Sequence, residues 1–114
     1  MGKSWDTHCP LGPAIVTNID PHDLKLVTKV NGEVRQDSNT NDLIFNCYEI
    51  IAYLTTAFTL EPGDVIVTGT PSGVGMAMKP PQALNVGDTV NVEIEGLGYI
   101  ENEIIEEPAA VTRY

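Results

Sequence analysis

The sequence predicts a mainly β domain of the α+β class, with a single main helix between its strands. Eight prolines and ten glycines in 114 residues are typical of a chain with many turns rather than of a helical bundle. Several short runs are rich in β-branched residues, and one stretch, beginning at Asn46, has helical spacing. An apolar fraction of 42% with 19% charged residues is sufficient for a folded core. The length corresponds to about one domain.

The first strands are predicted over residues 14–17 and 24–30, and the second of these alternates apolar and polar positions. Asn31 and Gly32 follow, a pair that supplies the two positive φ angles of a type I′ turn. Residues 33–36 should therefore return antiparallel to residues 24–30. A polar loop is expected over residues 37–42.

The helix begins after Asn46, whose side chain can cap it, and Glu49 lies three residues on, as in a capping box. Apolar and aromatic side chains then recur at helical spacing and are expected to pack on the sheet, leaving the other face to solvent. The predicted packing stripe consists of Tyr48, Ile51, Leu54, Thr55 and Phe58.

The second half of the chain alternates turns and strands. A turn over residues 60–64 closes the helix, and residues 65–67 (Val-Ile-Val) are expected to form a short strand buried on both faces. Two further strands are predicted over residues 89–95 and 99–105, joined by a turn at residues 96–98. The whole is predicted to be one compact domain with a loose end.

Charge and targeting patterns narrow the class of function. Six Lys and Arg against sixteen Asp and Glu leave a net charge of −10, which disfavours nucleic-acid and anionic-membrane partners. The apolar run at residues 50–54 is far shorter than the roughly 18 residues of a membrane span. Cys9 and Cys47 lack metal-binding spacing and are expected to be thiols in a reducing compartment. The N-terminus has no apolar segment for secretion, so the cytoplasm or an organelle matrix is the expected location.

The strongest local candidate for a site is the segment Gly-Thr-Pro-Ser-Gly-Val-Gly at residues 69–75, called here the 69–75 loop. Glycines after an apolar strand allow backbone amides to approach a ligand and to bind an anion. The loop is neither a P-loop nor a dinucleotide-binding fingerprint, because no Gly-Lys-Ser/Thr occurs and no helix opens on it. A plain turn remains the alternative on pattern alone.

Lys3 is a second candidate, since it is one of only six basic residues and precedes a rigid segment that contains Pro10 and Pro13. A solvated terminal charge is the alternative. His8 and His22 have no metal-binding spacing and are expected to make ordinary polar contacts.

Two Glu-x-Glu pairs put carboxylates on one face of a strand, as a metal site would. A half-exposed strand shows the same alternation, so a solvated face is the favoured interpretation. The pairs are Glu93 with Glu95, and Glu101 with Glu103.

Five segments in order resemble the fumarylacetoacetate hydrolase family, in its domain-containing branch of decarboxylases, tautomerases and acylpyruvate hydrolases. The likeness runs from Gly2 to about Ile105, and its most specific parts are Gly-Lys-Ser-x-Asp and Gly-Thr-Pro-x-Gly-Val-Gly. The segments are residues 2–7, 9–13, 30–36, 60–66 and 68–75.

The resemblance implies a mixed β-sandwich roll that dimerises and a Mg²⁺- or Mn²⁺-dependent enzyme. Such an enzyme acts on small anionic 2-oxo acids or 1,3-dicarbonyl compounds through an enolate, whose charge a divalent cation stabilises. Lys3 matches the active-site lysine of the family, and Thr70 with Gly69 matches residues that meet the substrate. Thr7 falls on a position that makes a secondary metal or water contact in some members.

In one respect the sequence differs from the pattern of the family. Its metal ligands, a Glu-x-Glu pair and an Asp, precede the lysine and are not present, so no metal ligand and no bound cofactor are expected within this chain alone. Residues 1–106 resemble the C-terminal part of the catalytic domain, and residues 107–114 are expected to be a loose acidic tail. The isolated chain is expected to be inactive. Its partner is expected to be a missing N-terminal half or a second copy, and the alternative is a noncatalytic binding or dimerisation module.

Overall fold

A computed structural model describes residues 5–107 of the chain. Within this range the chain forms four strands, one α-helix and two short 3₁₀ helices, so the predicted mainly β fold with one main helix is confirmed. The strands are β1 (Lys25–Val30), β2 (Glu33–Asn39), β3 (Thr89–Ile94) and β4 (Gly98–Glu103), and the helix is α1 (Cys47–Leu54). The 3₁₀ helices span Thr40–Asp42 and Gly75–Ala77.

The four strands form one antiparallel sheet in the order β2-β1-β3-β4. The predicted hairpin is confirmed: Asn31 and Gly32 have φ angles of 51° and 80°, as a type I′ turn requires. β2 extends to Asn39, beyond the predicted end at residue 36, because it continues to pair with Lys25 of β1. Part of the expected polar loop is therefore strand.

The second hairpin joins β3 and β4 through the turn predicted at residues 96–98. β3 crosses over to lie beside β1, which places β2 and β4 at the two edges of the sheet. An edge strand leaves one row of backbone groups free to meet a loop. This position of β2 matters for the candidate site.

The capping box of α1 is confirmed. The Asn46 side chain accepts a hydrogen bond from the Glu49 N–H at 3.0 Å, and the Glu49 carboxylate accepts one from the Asn46 N–H at 2.9 Å. The predicted packing of α1 on the sheet is wrong, because the helix contains no buried residue. Tyr48 is 66% exposed and Phe58 is 53% exposed, so the apolar stripe has no sheet surface against it within residues 5–107.

Two predicted strands are also wrong. Residues 14–17 and 65–67 are irregular, and Ile15 is 94% exposed while Val65 and Val67 are each 60% exposed. β-Branched residues favour a strand only where a neighbouring strand pairs with the backbone and packs on the side chain. Neither segment has such a neighbour within residues 5–107.

The core of the described range is small. Leu24, directly before β1, is its one buried hydrophobic residue. Its carbonyl accepts a hydrogen bond from the Thr40 N–H, and its N–H donates to the Thr40 side-chain hydroxyl, each at 2.9 Å. Cys9 and Cys47 are free thiols, and none of the helices in the described range is long and apolar enough to span a bilayer.

Candidate functional site

The 69–75 loop lies against the edge strand β2. Gln36, near the middle of β2, donates hydrogen bonds from its side-chain amide to the Thr70 hydroxyl at 2.9 Å and to the Pro71 carbonyl at 3.0 Å. These bonds join positions more than 30 residues apart in the chain. One side chain therefore fixes the residue that sequence analysis singled out in this loop.

Gly73 makes the close approach of the loop to β2 sterically feasible. A methyl group at Gly73 would overlap the backbone carbonyl oxygen of Arg35, and the φ of Gly73 is 104°. A side chain is excluded on both grounds, since the position has neither the space nor a φ that other residues readily adopt. The glycine pattern of the loop is thus explained in part by packing.

Arg35 ties β2 to the segment that follows the loop. Its guanidinium donates to the Gln82 side-chain oxygen and to the Met78 sulfur at 3.2 Å, and it lies 3.4 Å from the Glu33 carboxylate. The Gly75 carbonyl accepts hydrogen bonds from two backbone N–H groups, those of Met78 and Gln82. The loop is therefore held by β2 at one end and by residues 78–82 at the other.

A depression of about 560 Å³ lies beside this arrangement. Its polar lining comes mainly from β2, the type I′ turn and the segment before β3, and includes Asn31, Arg35, Gln36, Gln82 and Asp88. The pKa of Asp88 lies below its ordinary value, because its carboxylate accepts hydrogen bonds from the Asn85 N–H and from the Asn31 side chain. Asp88 is accordingly an anion that anchors the turn.

Thr70 and Gly69 are both exposed. The φ of Gly69 is 110°, and a methyl group there would meet open space. Gly69 is therefore favoured by its backbone conformation alone, in contrast to Gly73. The arrangement presents the Thr70 hydroxyl at the protein surface, on a loop that Gln36 holds to β2.

The other predicted site residues lie elsewhere or outside the described range. Lys3 lies outside residues 5–107. Thr7 is exposed, with a φ of 68°, in a turn closed by a hydrogen bond from the His8 N–H to the Trp5 carbonyl.

The two histidines make local polar contacts, as expected. His8 contacts the Asp6 carbonyl at 3.1 Å, and His22 contacts the Asp20 carboxylate at 2.9 Å. The pKa of Asp20 is lowered chiefly by the hydrogen bond from the His22 backbone N–H, with the His22 side chain adding to the effect. The ring of His22 also packs on Tyr48, with centroids 4.8 Å apart.

Two of the four carboxylates in the Glu-x-Glu pairs make hydrogen bonds to the sheet. Glu95 accepts from the Lys25 N–H at 3.2 Å, and Glu101 accepts from the Asn91 side chain at 3.1 Å. Among residues 5–107, no three His, Cys, Asp or Glu side chains lie close enough together to hold a metal ion. The residues of this range thus do not fit a complete metal site, and ligands for a divalent cation would have to come from elsewhere.

The sequence pattern predicted no role for Gln36 or Arg35. Both lie in the segment 30–36 that carries part of the family resemblance, but their positions in β2 alone do not indicate which loop they meet. The contact depends on the order of strands in the sheet, which puts β2 at an edge. The sequence offered only a Gln and an Arg within the predicted second strand of the hairpin, residues 33–36.

The sheet, the capped helix and the 69–75 loop define a β-rich domain. Its Thr70 hydroxyl is exposed on the loop that lies against the edge of the sheet. The chain belongs to the fumarylacetoacetate hydrolase family: the family model described as "Fumarylacetoacetate (FAA) hydrolase C-terminal" matches residues 1–105. Over 108 residues it is 53% identical to the oxaloacetate tautomerase FAHD2A, mitochondrial, of Bos taurus. That match covers 92% of this chain and 34% of the relative, so the chain spans about a third of the length of the curated relatives it matches.

Solved structures show the same fold. A fumarylacetoacetate hydrolase from Exiguobacterium antarcticum matches with a TM-score of 0.90 and 46% identity, over 93% of this chain and 39% of that one. A maleylpyruvate hydrolase from Sphingobium sp. SYK-6, solved in complex with manganese(II) ion and pyruvate, matches with a TM-score of 0.79 and 38% identity. The latter match covers 89% of this chain and 37% of the relative. The family assignment made from the motifs is confirmed.

Proposed function

We propose that this chain forms the C-terminal part of an enzyme active site that acts on small 2-oxo acids or 1,3-dicarbonyl compounds through an enolate. The observation that carries the proposal is the exposed Thr70 hydroxyl on the clamped 69–75 loop. Family membership supports it, and relatives bear the names oxaloacetate tautomerase and maleylpyruvate hydrolase. Oxaloacetate and acylpyruvates are the substrate classes that we expect.

The proposed reactions require groups that stabilise negative charge on oxygen. Tautomerisation, decarboxylation and hydrolysis of such substrates each develop charge on the oxo oxygen as the enolate forms. Hydrogen-bond donors and cations fixed in place before the reaction stabilise that charge without reorganising. We assign Thr70 and the backbone at Gly69 to binding substrate oxygens, and Lys3 to supplying a positive charge beside them. Thr7 is proposed for a secondary contact with metal or water.

A divalent cation is part of the proposal only for the complete enzyme. The manganese and pyruvate in the maleylpyruvate hydrolase structure support a metal-dependent reaction for that relative. Because residues 5–107 lack a convergent set of ligands, the cation of this enzyme would be held by residues outside them. Mg²⁺ and Mn²⁺ are the ions to test.

The apolar surface supports assembly with further polypeptide. Tyr48 and Tyr53 of α1, and Phe58 and Val65 in the segment after it, are more than half exposed. A groove of about 470 Å³ lies between Leu54 at the end of α1 and that segment. We propose that an N-terminal part like that of the longer relatives, or a second copy of the chain in a dimer, covers this face.

A mitochondrial matrix location is proposed because the names of the relatives include the word mitochondrial. Residues 1–106 are proposed as one unit and residues 107–114 as a tail.

The decisive experiment is a chimera in which this chain replaces the matching 108-residue segment of the Bos taurus relative. We expect the purified chimera to tautomerise oxaloacetate in the presence of Mg²⁺ or Mn²⁺, as followed by loss of the ultraviolet absorbance of the enol. Acylpyruvates are assayed in parallel to separate tautomerase from hydrolase activity. A folded chimera that leaves every substrate of this panel unchanged would refute the proposal and favour the noncatalytic module.

A further inference from the structure

We propose that Gln36 is a positioning residue, which commits the Thr70 hydroxyl to donate its proton to an anionic oxygen of the substrate. This inference rests on the proposed function, because it takes Thr70 as a substrate-binding residue. Gln36 itself does not touch the substrate. It acts through the hydrogen bond that joins its side chain to Thr70.

The direction of this hydrogen bond follows from the neighbouring contact. The Gln36 side chain also reaches the Pro71 carbonyl at 3.0 Å, and a carbonyl oxygen only accepts hydrogen bonds. The group that faces Pro71 must therefore be the amide nitrogen and not the amide oxygen. That nitrogen carries two hydrogens, and the second is directed at the Thr70 hydroxyl at 2.9 Å.

The direction in which the Thr70 hydroxyl can donate its proton is then determined. A hydroxyl has one proton to donate and two lone pairs to accept with, and Gln36 occupies one lone pair. The amide nitrogen cannot accept, so the Thr70 proton has to point away from Gln36. Because Thr70 is exposed, the proton is available to a ligand at the surface. Donation into the oxygen also polarises the O–H bond and strengthens it as a donor.

This polarity selects the chemistry of the ligand. A hydroxyl prepared as a donor prefers a carboxylate or enolate oxygen, since hydrogen bonds to charged acceptors are about twice as strong as neutral ones. Gln36 is well placed to hold the arrangement, because it lies on a hydrogen-bonded strand opposite Thr28 of β1. Gly73 allows the loop to lie close to β2, in contact with the Arg35 carbonyl.

The test is a double-mutant cycle in the full-length chimera, with Gln36→Met, Thr70→Val and both together. The probe is oxalate, an unreactive dianion whose adjacent oxygens resemble those of a 2-oxo acid, and its inhibition constant is measured beside kcat/KM. We expect each single change to weaken oxalate about tenfold and to lower kcat/KM to a similar extent. The double variant should be no worse than Thr70→Val alone, because Gln36 acts only through the hydroxyl.

Gln36→Glu tests the direction of the bond with a side chain of the same size. Its carboxylate would accept the Thr70 proton, leaving only lone pairs for the ligand, so oxalate binding should weaken further than in Gln36→Met. A Gln36→Glu chimera that folds and binds oxalate as tightly as its parent would overturn the inference. This variant also serves if Gln36→Met fails to fold, as judged from the midpoint temperature of thermal unfolding, Tm.

Gln82→Met is the matched control, because Gln82 contacts Arg35 near the same loop but makes no hydrogen bond to Thr70 among the contacts of the described range. Equal losses in Gln82→Met and Gln36→Met would indicate general loosening and would count against the inference. The inference would also be contradicted if Gln36→Met weakened oxalate binding equally in the parent chimera and in the Thr70→Val chimera. If Thr70→Val leaves activity and oxalate binding intact, the site assignment of the proposed function fails instead.

Discussion

Gly73 is the residue at which the loop and β2 come closest. Its φ is 104°, close to the 101° of Gly63, but the two glycines have different surroundings. A methyl group at Gly63 would meet nothing within 4 Å, whereas one at Gly73 would overlap the Arg35 carbonyl. Substitutions at these two glycines therefore distinguish the effect of backbone strain from the effect of close packing.

We expect Gly63→Ala to lower the stability of the chimera by about 1 kcal/mol, from the positive φ alone. Gly73→Ala should cost about 3 kcal/mol, since β2 and the loop must also move apart. Thermal unfolding of the two variants measures the difference. Gly73→Ala should additionally weaken oxalate binding by displacing Thr70, and equal effects of the two substitutions would contradict the close contact.

Lys3 provides the second prediction at the level of single residues. Lys3→Ala should reduce turnover by the chimera about 100-fold or more, because the proposed function assigns the Lys3 positive charge to stabilising a developing oxyanion. The Tm should hardly change. Lys79→Ala, at an exposed lysine that follows the loop, is the control and should retain activity. If the two variants are equally active, Lys3 has no role in the site.

At the level of elements, the hairpins and the cap were predictable because each depends on neighbours in sequence. Asn31 and Gly32 adopt the turn that their own conformational preferences dictate, and Asn46 with Glu49 closes the capping box within four residues. Residues 65–67 have equally strong strand composition and form no strand in the described range. A strand needs a partner, and the identity of the partner is not a local property.

The type I′ turn is also held by a contact from outside the hairpin. Asp88 accepts from the Asn31 side chain at 2.8 Å, and Asn31 in turn accepts from the Thr89 N–H at 2.9 Å. This chain of bonds joins the β1–β2 turn to the start of β3. Loss of the Asp88 charge should therefore loosen two elements together.

Asp88→Asn should lower the Tm at neutral pH, since an amide offers one acceptor oxygen where the carboxylate uses two. The folded-state pKa of Asp88 is lowered, so its contribution to stability is present above the ordinary carboxyl pKa of about 3.9 and is lost as the pH falls through the folded-state pKa. The Tm difference between parent and variant should thus shrink on acidification. Glu93→Gln, which removes a negative charge from an exposed position of β3, is the matched control. A difference that is constant with pH would rule out this role for Asp88.

At the scale of the whole molecule, the chain is more open than a compact domain of its size. Its radius of gyration is 16.2 Å, where about 13 Å is expected for a compact chain of this length. Its accessible surface is 9338 Å², against roughly 6,100 Å² for a folded monomer of equal mass. Leu24 is the one buried hydrophobic residue of the described range, so this range on its own has little hydrophobic core.

The chain alone should therefore bind a hydrophobic dye such as anilinonaphthalene sulfonate and unfold over a broad temperature range. The chimera should bind little dye and unfold sharply, because the apolar face of α1 is then covered. Dye fluorescence and calorimetry of the two proteins provide the comparison. A sharp, cooperative transition of the isolated chain without dye binding would show that the exposed face needs no partner.

The mainly β class, the turn at residues 31–32 and the helix cap could be predicted from the sequence, because they follow from backbone preferences and spacings that operate over a few residues. The family could be predicted from the resemblance of its motifs. The motifs also singled out Thr70 and Gly69. They did not indicate what holds these residues in place.

The fold was needed to show that Gln36 of β2 holds the 69–75 loop and that Arg35 ties β2 to residues 78–82, because these contacts join residues distant in the chain. The strand order decided it by leaving β2 at an edge of the sheet. The same structure left the helix stripe and residues 65–67 uncovered, against the expectation from their composition. Apolar composition shows that a surface tends to be buried, but what covers it depends on which other segments fold against it.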